Sequence, residues 1–141
     1  MQHVLYSMIR IYLAGGMNTF DWQRLVKSRL TSKQFVFFNP REHGLTDSTE
    51  YTMWDLFYVK KCDILFAYMQ SDNPSGIGLT LEVGFARALD KTIILIDEKS
   101  DVDTVFAKKF EIVRESASKV YNNLEDGITF LSKFKDGVDY K

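Results

Sequence analysis

The stretch Cys62–Ile96, CDILFAYMQSDNPSGIGLTLEVGFARALDKTIILI, decides the fold. Asp63–Tyr68 is a short apolar run of the kind that fills a buried strand. Met69–Ile77 gathers Asp72, Asn73, Pro74, Ser75 and Gly76, all turn formers. The spacing then predicts a helix over Gly78–Leu89, with Leu81, Phe85, Ala88 and Leu89 as its apolar stripe. Thr92–Ile96 is a second β-rich run. Strand, loop, helix and strand make a βαβ unit, which requires parallel strands and a right-handed crossover. One residue stands out. Glu82 is an acid in the early part of a helix whose other residues are nearly all small or apolar. It follows a loop at the carboxyl end of a strand, where open α/β sheets bind ligands.

The flanking sequence repeats the alternation. Ile9–Leu13 predicts a first strand that opens into Ala14-Gly15-Gly16-Met17-Asn18-Thr19. Glycines there let a ligand approach the backbone closely, although no dinucleotide fingerprint is present. Asp21–Leu30 predicts a helix with Trp22, Leu25, Val26 and Leu30 on one side. Phe35–Phe38 predicts strand two, followed by Asn39-Pro40-Arg41 and a loop over Gly44–Ser48. Asp47 and Glu50 have capping-box spacing, so a helix should run on to about Lys61. Its stripe is Tyr51, Trp54, Asp55, Tyr58 and Cys62. Asp55 is the one charge on that stripe, either at a rim, solvated or paired with Lys60 or Lys61, or held in an aromatic pocket. A polar loop over Asp97–Asp103, a helix over Asp103–Val113, a fifth strand at Lys119–Tyr121 and a helix over Leu124–Phe134 complete the chain, with a frayed end. The expected fold is one α/β domain of three layers over residues 1–141, with a five-stranded, mainly parallel sheet in flavodoxin-like order 2-1-3-4-5.

Composition narrows the function. A chain of 141 residues with net charge −1 and interspersed signs offers no basic stripe for nucleic acid. One cysteine excludes an internal disulfide and a cysteine zinc cluster, and two histidines, His3 and His43, argue against a histidine metal site. No apolar run approaches a membrane span, and the N-terminus is too short and interrupted for a signal peptide, so a soluble cytoplasmic protein is expected. The loops after strands one, two and three should meet at one sheet edge, with Glu82 just beyond the third. A carboxylate near a helix start is favoured in its ionised form. Such a group can take a proton, or it can attack a carbon that is becoming cationic, as in retaining glycosidases. Asp55 could handle the leaving group's proton. On chemistry alone, a solvated helix-start glutamate is an equal reading of Glu82.

Four pieces, in order and at matching spacing, resemble the nucleoside 2-deoxyribosyltransferase family. They are IYLAGG (Ile11–Gly16), FFNPRE (Phe37–Glu42), MWDLFYVKKCDILFAYM (Met53–Met69) and PSGIGLTLEVGFARALDKTIILI (Pro74–Ile96). The likeness covers roughly Ile9 to Asp97. It implies an α/β enzyme that moves 2-deoxyribose between nucleobases by double displacement, without a metal or an organic cofactor. It further implies Glu82 as nucleophile, Asp55 as the acid that contacts the base and handles its proton, and Tyr12 as the phenol positioning Glu82. Ala14, Gly16, Met17 and Asn18 would line the base pocket, and Ser75, Gly76 and Gly78 would hold the sugar. A neighbouring subunit would supply a polar residue, for which Asn122 or Asn123 could serve, so a homo-oligomer built from dimers is expected.

Two departures from the family pattern bear on substrate. Gly76 stands where some transferases carry an acid, and Ser75 is similar to the serine of relatives that hydrolyse 2-deoxynucleoside 5-monophosphates. Against the latter, Met69–Leu81 has no Lys or Arg and includes Asp72, so a phosphate would need Arg41, backbone N–H groups or a neighbour. Free deoxynucleosides and nucleobases are the expected partners. A monophosphate N-glycosidase and a non-catalytic nucleotide-binding protein are the alternatives.

Overall fold

A computed structural model of the chain describes residues 8–17 and 20–136. His3, Asn18 and the terminal Gly137–Lys141 lie outside the described residues. Five strands, β1 (Ile9–Gly15), β2 (Phe35–Phe38), β3 (Ile64–Met69), β4 (Thr92–Asp97) and β5 (Lys119–Tyr121), alternate with five helices. The helices are α1 (Trp22–Arg29), α2 (Ser48–Lys61), α3 (Ile77–Ala88), α4 (Thr104–Ser116) and α5 (Leu124–Ser132). The sheet order is β2-β1-β3-β4-β5 and every pairing is parallel.

The strands' alternation sorts the core into two layers. Ile11, Leu13, Phe66, Ile94 and Ile96 meet Trp22 and Val26 of α1 and Ile128 and Leu131 of α5. Tyr12, Ala14, Leu65, Ala67, Ile93 and Leu95 face the other way, onto Val59 of α2, Leu79, Val83 and Ala86 of α3, and Phe110 of α4. All six residues of β3 are buried, as a central parallel strand covered on both faces requires. Asp21, Asp47, Asp103 and Asn123 each cap a helix by accepting a backbone N–H three residues on.

Two expectations need correction. The buried stripe of α3 is Leu79, Val83 and Ala86, not the one through Leu81, which is 58% exposed. The helix is apolar nearly all round, so two stripes satisfy the same spacing and only tertiary packing selects one. The second concerns α2, where Tyr51 is exposed, Trp54, Asp55 and Tyr58 are half-buried, and the buried positions are Val59 and the capping Cys62. Smaller shifts occur at helix ends: α4 runs on to Ser116, and α5 stops at Ser132, where a 3-10 turn over Lys133–Asp136 takes over.

Candidate active site

The loops leaving β1, β2 and β3 converge at the carboxyl edge of the sheet around a cavity of about 300 Å³. Its walls include Tyr12, Gly15, Gly16, Met17, Pro40, Asp55, Gln70, Asn73, Ser75, Gly76, Gly78 and Glu82. Parallel topology is the reason: every strand points the same way, so every βα loop opens on the same side.

Tyr12 is the fourth residue of β1 and is fully buried, its ring directed toward α2 and α3. Its hydroxyl donates to Glu82 Oε2 at 2.6 Å. The residues are 70 apart in sequence, and the sheet's alternation together with the packing of α3 joins them. Burial first, then the Glu82 charge and hydrogen bond, push the Tyr12 pKa far up, so it acts as a donor throughout. Glu82 lies in the second turn of α3, beyond the reach of the helix terminus. Burial raises its pKa to about 7; the Tyr12 bond opposes that rise and the Asp55 charge adds to it. The expected preference for the ionised form at the helix start is therefore overridden by desolvation.

Asp55 faces this pair from α2. It is not paired with Lys60 or Lys61. Its side chain lies against His43, whose Nε2 is 3.5 Å from Asp55 Oδ1. That oxygen is buried with no hydrogen-bond partner among the described residues. Burial raises the Asp55 pKa, while His43 and Tyr12 draw it back. Leu45 N–H donates to His43 Nδ1 at 2.9 Å, so the neutral ring carries its proton on Nε2, toward Asp55. The His43 ring packs edge-on to Trp54 at 4.9 Å.

The remaining expected residues divide. Gly16, Met17, Ser75, Gly76 and Gly78 line the cavity. The Ala14 side chain is buried in the core, and Gly15 lines the wall instead. Asn123 caps α5 and bonds to Asn122 and Asp126, away from this cavity in its own chain. Arg41 is engaged with the first loop. Its Nε lies 3.0 Å from Gln23 Oε1 and 3.2 Å from Asp21 Oδ1, and its Nη1 donates to Met17 O at 2.9 Å.

Sequence reasoning missed His43, Gln70 and Asn73. All three follow strand ends at the converging edge, which is the signal that could have found them. Asn73 Oδ1 accepts from Ser75 N at 3.1 Å and Gly76 N at 2.9 Å, and so shapes the turn into α3. Gly76 takes a left-handed φ of +67°, and a Cβ there would fall 2.0 Å from Met69 Cε. Glycine is therefore required both by backbone conformation and by space. Among the described residues no group of three or more His, Cys, Asp and Glu is placed to hold a metal ion. No helix among them is long and apolar enough to cross a membrane.

Fold and site together define a flavodoxin-like α/β protein with two carboxyl groups and a phenol converging on one cleft. The chain belongs to the nucleoside 2-deoxyribosyltransferase-like family, whose model matches residues 8–100. No curated protein matches its sequence. Among solved structures it is similar to a 2-deoxyribosyltransferase from Leishmania mexicana, at 15% identity and a TM-score of 0.66 over 89% of this chain and 97% of that one. It is also similar to a CMP N-glycosidase from Clostridium botulinum, at 21% identity and a TM-score of 0.60 over 88% and 98% of the two chains. A conserved protein from Enterococcus faecalis aligns at 18% identity and a TM-score of 0.55, over 90% of this chain and 87% of that one. At these identities the likenesses establish the fold.

Proposed function

We propose that the chain transfers 2-deoxyribose from one nucleobase to another through a covalent deoxyribosyl intermediate on Glu82, with hydrolysis as a side reaction. The observation that carries this reading is the Tyr12–Glu82 hydrogen bond at 2.6 Å inside a cavity whose other wall holds Asp55. Tyr12 engages one carboxylate oxygen, and the second serves as nucleophile toward the sugar carbon. In the first step the glycosidic bond breaks, its electron pair leaves with the base, and Asp55 supplies a proton. The raised pKa of Asp55 suits that role. In the second step an acceptor base returns a proton to Asp55 as its nitrogen attacks the same carbon, and Glu82 leaves as carboxylate.

A second reading, hydrolysis of deoxynucleoside 5-monophosphates, has Ser75 in its favour, since it lines the cavity. Among the described residues the lining holds two acids and no Lys or Arg. A dianionic phosphate lacks its usual partners there, which favours the free nucleoside. The test compares deoxyadenosine, deoxycytidine and their 5-monophosphates, each with and without a second free base, with products separated by chromatography. Transfer to the added base, with higher kcat/KM for the nucleosides, is the expected result. Reaction of the monophosphates alone, with no new nucleoside, would establish the hydrolase reading instead.

A further inference from the structure

The loop after β4 has no assigned role, yet it grips the loop that carries Ser75 and Gly76. Asp97, the last residue of β4, is fully buried. It accepts from Ser100 N at 3.1 Å, Ser100 Oγ at 2.5 Å and Arg114 Nη1 at 2.6 Å, which pins the turn over Lys99–Asp101 to the sheet. Two neighbours then reach across to the β3–α3 loop. Glu98 N donates to Met69 O at 3.0 Å, and the Glu98 carboxylate accepts from Tyr68 Oη at 2.7 Å and Ser71 N at 3.4 Å. Lys99 Nζ donates to the backbone oxygen of Asn73 and lies 5.2 Å from the centre of the Phe106 ring.

We propose that Lys99 is a positioning residue for deoxyribosyl transfer: it clamps Asn73, and through it the Ser75–Gly76 turn that sets the sugar against Glu82. The inference rests on the transfer reading above. The chain of contacts is continuous. Lys99 fixes the Asn73 carbonyl, the Asn73 side chain fixes the N–H groups of Ser75 and Gly76, and Gly76 is the N-cap of α3, which carries Glu82. The first turn of α3 has no side-chain cap of its own, so this external hold is what orders its entry. Lys99 is thus a cation spent on a backbone carbonyl behind the cavity wall. It is absent from the lining itself.

The test uses Lys99→Met, which keeps the stem and loses the donor, and Lys99→Arg, which keeps a donor. For Lys99→Met, kcat with a deoxynucleoside donor should fall about tenfold to a hundredfold, as expected for a misplaced sugar, while KM for the acceptor base changes by less than about twofold. Lys99→Arg should recover most of the loss. Amide hydrogen exchange at Ser75 and Gly76, followed by NMR, should quicken in Lys99→Met and not in Lys99→Arg, whether or not the substrate is correctly identified. An active wild type with unchanged kinetics and unchanged Ser75 and Gly76 exchange in Lys99→Met overturns the clamp and leaves the transfer reading standing. Quickened exchange in a protein inert to every nucleoside and monophosphate supports the clamp and overturns the transfer reading.

Discussion

At the scale of single residues, Glu82 carries the most consequence. Its pKa of about 7 against an ordinary 4.5 means that the folded state holds its proton more tightly than the unfolded state does. Its contribution to stability is therefore complete below pH 4.5 and is lost as pH rises through 7. Glu82→Gln keeps a partner for Tyr12 without the buried charge. It should melt at nearly the wild-type temperature at pH 4.5 and at a higher temperature at pH 8, by calorimetry. The same variant should lose transfer by a factor of at least about a thousand, as expected when a nucleophile is removed. A 2-fluoro-2-deoxynucleoside should leave a sugar adduct on Glu82 in the wild type, located by mass spectrometry; an adduct elsewhere rules out the assignment. Because the nucleophile acts ionised, kcat/KM should fall on the acid side with an apparent pKa of about 7. The Tyr12 bond lowers that value. Tyr12→Phe should therefore move the acid limb upward by about one unit, the worth of a hydrogen bond to a charged group.

Elements were legible in the sequence where a single pattern governed them. The βαβ alternation from Cys62 to Ile96 requires parallel strands, and the capping spacing of Asp47 and Glu50 marks the start of α2, where Asp47 accepts from Glu50 N. The buried face of α3 was not legible, because Leu79–Val83–Ala86 and Leu81–Phe85–Ala88 are equally apolar and only the sheet distinguishes them. The partner of Asp55 was hidden for a different reason. His43 enters from a loop whose course the local sequence does not dictate, and it forms a contact that only the assembled sheet edge creates. Glycines in and before α3 make the same point testable. Gly84 is mid-helix, and a Cβ there meets nothing within 4 Å. Gly84→Ala should raise stability by about 0.5–1 kcal/mol through helix propensity, without changing activity. Gly76→Ala should lower stability by about 1–2 kcal/mol from the left-handed backbone alone, before the displacement of Met69 is counted. Denaturant midpoints and kcat/KM for the two variants separate the effects.

At the scale of the whole molecule, the cavity opens onto an apolar rim. Ile77 is 76% exposed and Met17 36%, and both line the cavity. Met53 and Phe57 on α2, 68% and 53% exposed, and Leu81 on α3, 58% exposed, add apolar surface on the two helices that carry the acids. Exposed large apolar side chains on neighbouring elements are candidates for an interaction surface. A second copy seated on these helices and reaching Ile77 and Met17 would cover the mouth, and an enzyme that must hand a sugar to a base rather than to water gains from that exclusion. The polar atoms of Asn123 are engaged in capping α5 of its own chain, so the partner's main contribution at this rim would be cover. Sedimentation of the wild type should therefore give a dimer or a multiple of it. Phe57→Glu and Leu81→Glu place charges on the surface without touching the core, and each should shift the protein toward monomer at assay concentrations. In those monomers the ratio of hydrolysis to transfer should rise, because water gains access to the intermediate while Tyr12, Asp55 and Glu82 stay in place. A wild type that sediments as a monomer and still favours transfer over hydrolysis would show that the cleft excludes water by its own loops, with the Arg41-held first loop as the element to examine.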